Sequence, residues 1–223
     1  MNIKDYPDSD LMAMDLADQI SADLVQHLFH HDRALLIVPG GRTPVPIFDV
    51  LCGADLPWDR VDVIASDERW LPPEDPQSNG AMIRRHLLQG AAQKAHFLDL
   101  YMTGHSPQQA AGLLAQRLAP RLPAAVALLG MGADLHFASL FPGGDHLDQA
   151  MAPDAPAVLP MRPADASLAP RVTLCLPALQ SALSVHVVFT GEDKRRALMA
   201  ATGDVLSAPI LAIKKEAQFH WTP

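Results

Sequence analysis

Cysteine is nearly absent from this chain of 223 residues, and its two cysteines, Cys52 and Cys175, form no C-x-x-C pair. One bridge between them would not make a disulfide scaffold, so the sequence predicts a reducing, cytoplasmic setting. No apolar run approaches membrane-spanning length, which argues against a membrane partner. The opening stretch MNIKDYPDSDLMAMDLADQI carries acids where a signal peptide would be basic. Basic residues are also in the minority, 17 Lys and Arg against 25 Asp and Glu, for a net charge of -8. Nucleic acid is therefore a poor partner, because phosphate contacts need grouped cations. A small anion is not excluded, since it needs only a local positive site. No internal repeat or low-complexity tract interrupts the chain.

What is present is a hydrophobic fraction of 49%, enough to bury the core of a single domain spanning residues 1–223. Twenty prolines point to many stiff connections. Leu11, Ala13, Leu16, Ile20, Leu24 and Leu28 recur at close to helical spacing, with Asp8 or Ser9 as the cap. RALLIVPGG reads as a buried strand and tight turn. TPVPIFDVLCG reads as a helix with Thr43 as N-cap and Pro44 at its first position. A strand is expected from Val61 to about Ala65, and SNGAMIRRHLLQG reads as the next helix. FLDL is a candidate short strand, and SPQQAAGLLAQRLAP carries a Ser106–Gln109 capping box. AAVALLG, SVHVVFTG and APILAI read as strands, RVTLCL as extended, and EDKRRALMAA as a helix. Residues 151–170, rich in Pro, Ala and Asp, are expected to form one long irregular loop. This alternation predicts an α/β domain with a mainly parallel sheet.

Four charged motifs follow predicted strand ends: GGRT, SDER, GADLH and TGEDK. A parallel sheet would gather them at one carboxyl edge, where such sheets bind ligands. Gly40, Gly41, Arg42 and Thr43 combine a flexible turn, a cation and a helix N-terminus, a combination suited to an anion. The plain alternative is a strand-to-helix turn with a solvated Arg. Asp67 and Arg69 belong to a triplet that is, taken alone, an ordinary surface turn; at the shared edge Arg69 could grip phosphate or an oxyanion. Asp134 precedes His136 by two residues, so it can hold one tautomer of a general base. The alternative is a His that merely bonds its loop. Lys194 lies in a helix first turn, where the dipole disfavours a cation unless an anion is near. Arg171 shares that ambiguity. The remaining histidines lack ligand neighbours at metal spacing, so no metal is expected.

GGRTP, SDERW…SN, LLGMGADLHFASLFPG, RVTL and TGEDK, in this order, resemble the 6-phosphogluconolactonases. The match runs from about residue 35 to the C-terminus. The resemblance implies a Rossmann-like three-layer α/β/α fold and hydrolysis of 6-phospho-D-glucono-1,5-lactone without metal or cofactor. It implies that His136 activates water, Asp134 orients His136, and Arg69 binds or stabilises anionic groups. Gly41, Arg42, Thr43, Arg171 and Lys194 would hold the 6-phosphate, with Gly40 and Asp67 also expected among the substrate-binding residues, in a cytoplasmic monomer or homodimer of the pentose phosphate pathway.

Two departures stand out. The family's Asp-Gly-His-Thr reads Asp-Leu-His-Phe here. Leu135 enters positive φ less easily than glycine, which predicts a changed loop, and Phe137 removes a hydroxyl from near the site. Two rivals follow: a sugar-phosphate binder without turnover, or an amino-sugar-phosphate isomerase or deaminase. The second is disfavoured because ASLFPG carries no acid before Asp145.

Overall fold

The computed structural model describes residues 1–223. The first third runs β1 (Asn2–Asp5), α1 (Ser9–Leu28), β2 (Ala34–Val38), α2 (Val45–Leu51), β3 (Val61–Ala65) and β4 (Asp67–Arg69). Next come α3 (Asn79–His86), β5 (His96–Leu98), α4 (Pro107–Leu118), β6 (Val126–Gly130) and α5 (Leu147–Met151). The chain ends with β7 (Val158–Met161), β8 (Arg171–Leu174), α6 (Leu176–Gln180), β9 (Ser184–Thr190), α7 (Glu192–Ala200) and β10 (Gln218–Thr222).

Seven strands form a parallel sheet in the order β1-β10-β9-β6-β2-β3-β5. Every residue of β2 and of β3 is buried, as central strands are when both sheet faces are covered. This is the expected mainly parallel α/β architecture. The chain leaves β2 for β3 and β5 on one side, then returns to β6 and β9 on the other. The connections from β2 and β6 therefore part, opening a crevice at the carboxyl edge.

The helices form for local reasons. Asp8 caps α1 by accepting from Leu11 N at 2.8 Å, and Ser106 and Gln109 make the reciprocal capping box of α4. The inner face of α1 buries Leu16, Ile20 and Leu24 completely, each contributing about 1.5–3 kcal/mol.

A second sheet, unforeseen from sequence, joins β4, β8 and β7 in antiparallel pairing. Its register sets Asp67 opposite Thr173 and Arg69 opposite Arg171. One residue, Ser66, links β3 to β4. Its N–H donates to Val38 in the large sheet at 2.8 Å, and its carbonyl accepts from Leu174 in the small one at 2.9 Å.

Three expectations need correction. The 151–170 segment contains β7, whose Pro160 hides the strand signal; an edge strand tolerates a residue without an N–H. APILAI is a 3₁₀ turn at Pro209–Ile213, and the last strand is QFHWT, a stretch that looks polar although Phe219 and His220 are fully buried. Strand β1 completes the edge beside β10. Thr43 does not cap α2: the helix starts at Val45, and the N-cap position falls to Pro44, which offers no side-chain acceptor.

One polar chain runs through the core between α1, β9 and β10. Lys4 and Tyr6 both donate to Asp15, and His220 Nδ1 lies 2.9 Å from the Tyr6 hydroxyl. His220 Nε2 is 3.1 Å from His186 Nδ1, and His186 Nε2 is 3.5 Å from Asp23. A carboxylate can only accept, so the Tyr6 proton goes to Asp15, His220 Nδ1–H donates to Tyr6, and His220 Nε2 accepts from His186. Burial, with His186 beside it, pushes His220 down to about 3.

Candidate active site

A pocket of about 240 Å³ opens at the crevice between the β2 and β6 connections. It collects Gly40, Gly41, Arg42 and Thr43 after β2, Asp67 and Arg69 from β4, His136 after β6, Arg171 from β8 and Lys194 from α7. Every residue singled out in the sequence is thus brought together at one edge except Asp134, which stands behind His136. Four cations face one carboxylate there, in a chain whose net charge is -8.

The His136 loop begins as a tight turn, with Leu135 N donating to Gly132 O at 3.1 Å and Gly132 N to His136 O at 2.9 Å. His136 Nδ1 lies 2.5 Å from Asp134 Oδ1. An ionised carboxylate accepts, so in the neutral ring Nδ1 carries the proton and Nε2 keeps its lone pair, and the ring lines the pocket. Partial burial pushes the Asp134 carboxyl up, but the hydrogen bonds from the His136 side chain and backbone help outweigh it and leave it below its ordinary value. Gly132 must be glycine: a Cβ there would lie 2.2 Å from the imidazole.

Leu135 takes φ of 66°, the left-handed conformation that glycine would adopt. The leucine thus enters the positive-φ region despite its side chain, and Leu135 O accepts from Ile210 N at 3.0 Å, which helps hold it there. Phe137 is wholly buried in the core and does not line the pocket, so no hydroxyl is lost there.

The small sheet supplies two of the four cations, Arg69 and Arg171. Arg171 is only 9% exposed, and its Nε has no hydrogen-bond partner. Its Nη1 lies 3.4 Å from Asp67 Oδ2. Burial lowers the affinity of this guanidinium for its proton, against the pull of Asp67. An anion would relieve both the orphaned donor and the desolvated charge. Lys194 donates one bond to Met131 O at 2.8 Å; burial lowers its pKa, with Asp134 opposing. Arg42 stands exposed at the rim.

Sequence reasoning missed the framework beneath these groups. Glu68 is buried and accepts from Asn79 N at 2.8 Å, Gly80 N at 2.7 Å and Ser78 Oγ at 3.0 Å, tying β4 to the α3 N-terminus. Burial nevertheless raises its pKa. Asn79 is thereby held where Nδ2 donates to Asp67 O at 2.8 Å and Oδ1 receives Arg69 Nη1 at 3.4 Å. Asn79 also packs so closely on Gly40 that a Cβ there would meet it at 2.0 Å. The only sequence signal was the Ser-Asn pair downstream of SDERW.

Fold and site define a class: an α/β protein whose switch-point crevice pairs an acid-supported imidazole with an anion-binding set of cations. Residues 7–221 match the family described as glucosamine-6-phosphate isomerases/6-phosphogluconolactonase. A 6-phosphogluconolactonase from Caulobacter vibrioides is 40% identical over 91% of this chain and 89% of its own. One from Rhizobium meliloti is 34% identical over 100% and 99%. The crystal structure of a 6-phosphogluconolactonase from Shewanella baltica aligns with a TM-score of 0.95 at 28% identity, covering 100% of this chain and 98% of that one. The chain belongs to the glucosamine-6-phosphate isomerase/6-phosphogluconolactonase family.

Proposed function

We propose that the protein hydrolyses 6-phospho-D-glucono-1,5-lactone to 6-phospho-D-gluconate, as a cytoplasmic, single-domain enzyme, monomer or homodimer, of the oxidative pentose phosphate pathway. The observation that carries this reading is the bare Nε2 of His136, held by Asp134, facing a pocket with four cations. The names of the relatives support it, and so does the glycine-like turn at Leu135.

In this reading, His136 Nε2 takes a proton from water as the water oxygen bonds to the lactone carbonyl carbon. The negative charge then on the carbonyl oxygen is met by Arg69. The carbonyl re-forms, the ring C–O bond breaks, and the proton returns from His136 to the departing ring oxygen. A cyclic ester is a good electrophile, so a positioned water suffices without a covalent nucleophile. Gly40, Gly41, Arg42, Thr43, Arg171 and Lys194 hold the 6-phosphate. Asp67 acts through Arg171, since a carboxylate would repel phosphate.

The test generates the lactone in situ from glucose 6-phosphate and follows its loss by NMR with and without protein. Loss faster than spontaneous opening, with 6-phosphogluconate as product, is expected. Loss at the background rate by folded protein would contradict the proposal and favour a binder without turnover.

A further inference from the structure

The loop carrying His136 and the small sheet carrying Arg69 and Arg171 belong to separate parts of the chain, yet hydrolysis needs them in fixed register. Ser139, three residues beyond His136 and wholly buried, bonds to two adjacent strands of that sheet, β4 and β8. Its hydroxyl donates to Asp67 Oδ2 on β4 at 2.6 Å, and its backbone N–H donates to Thr173 Oγ1 on β8 at 3.2 Å. Asp67 and Thr173 face each other in the sheet register. The oxygen taken by Ser139 is also the one that Arg171 reaches, more loosely, at 3.4 Å.

A second contact path closes the circuit. The Arg171 guanidinium lies 5.2 Å from the centre of the Phe141 ring, and that ring lies 4.3 Å from the His136 ring. Starting at His136, the path passes through Phe141, Arg171, Asp67 and Ser139 and returns to the same loop. We infer that Ser139 is a positioning residue: its bond to Asp67 sets the distance between the base and the buried cation. This rests on the lactonase reading and adds to it a residue that touches neither water nor phosphate. Without the hydroxyl, Arg171 is free to close on Asp67 Oδ2, and the 136–141 loop loses its tie to β4. Arg171 then gives up part of its hold on the phosphate, but Arg42 and Thr43 from the β2 connection and Lys194 from α7 keep their places, so anion binding suffers less than chemistry.

The experiment compares steady-state lactone hydrolysis by wild type, Ser139→Ala and Ser139→Cys, with Tm measured on the same samples. For Ser139→Ala, kcat is expected to fall about 10- to 100-fold while KM moves less than about threefold, the pattern of a misplaced reacting group. Ser139→Cys keeps a weak donor and is expected to recover part of the loss. Repeated in a His136→Gln background, Ser139→Ala is expected to cost less than about twofold, because its effect passes through the base. A purely structural serine would instead lower Tm, leave kcat unchanged and add its effect in both backgrounds. That outcome overturns the inference while leaving the lactonase intact. A folded wild type with no rate above background overturns the lactonase and this inference together. Should Ser139→Ala fail to fold, Ser139→Cys decides alone: kcat reduced at least about threefold with Tm preserved supports the role, and unchanged kcat refutes it.

Discussion

Two pairs of neighbouring groups in this molecule look alike on paper and do opposite things. At the carboxyl edge of the sheet, His136 is held by Asp134 through Nδ1, and its Nε2 has a pocket before it. In the core, His220 is held by Tyr6 through Nδ1, and its Nε2 is taken by His186. Both rings have a fixed tautomer. Only one has a nitrogen left over. His220 is wholly buried and its burial cost falls on the charged form, whereas the His136 loop lies open to the pocket. A partnered imidazole is common to catalysis and to packing; an unspent lone pair with access to substrate belongs to catalysis alone.

The comparison can be broken most forcefully at His136. His136→Gln is expected to lower kcat about 10³- to 10⁴-fold with Tm nearly unchanged, measured by lactone loss and thermal melting. Wild-type turnover by that variant would remove the assigned base. Asp134→Asn can present its amide N–H to Nδ1 and reverse the tautomer, so a fall in kcat of about 10²-fold is expected.

At His220 the same logic acts on stability. Its folded pKa of about 3 lies below the ordinary 6.5, so the unfolded chain binds a proton that the folded one refuses. Stability is complete above about pH 6.5 and falls with pH through the window down to about 3, with roughly 2 kcal/mol lost by pH 5. His27, lowered by burial and by His31, adds in the same direction. Urea unfolding at pH 7.5 and pH 5 measures this, and equal stabilities would refute a buried neutral His220. The smallest effect is expected at Leu135: Leu135→Gly relieves the positive φ but loses a half-buried side chain, leaving kcat within about twofold of wild type.

The working pair was legible in the sequence because Asp134 and His136 are adjacent and follow a strand whose apolar run is unmistakable. The same holds for the Gly40–Thr43 turn and for Lys194 after β9. The small sheet was not legible. Strand β4 is three residues long, β7 contains proline, and their partner β8 lies about a hundred residues beyond β4. The buried tie between Ser139 and Asp67 spans 72 positions and carries no local pattern. His220 was hidden for a related reason: in QFHWT a buried histidine reads as a polar residue near the chain end, and only the pairing of β10 with β1 and β9 shows that it is core. Leu135 marks the limit of residue-type rules, since a non-glycine residue adopts the glycine conformation when the surrounding hydrogen bonds hold it there.

The most direct measurement is the long-range 1H–15N spectrum of the imidazoles, recorded with and without 6-phosphogluconate. His136 is expected to carry its proton on Nδ1 and its bare Nε2 to shift when the product is added, while both His220 nitrogens stay fixed. A proton on His136 Nε2, or a product response at His220 and none at His136, would contradict this.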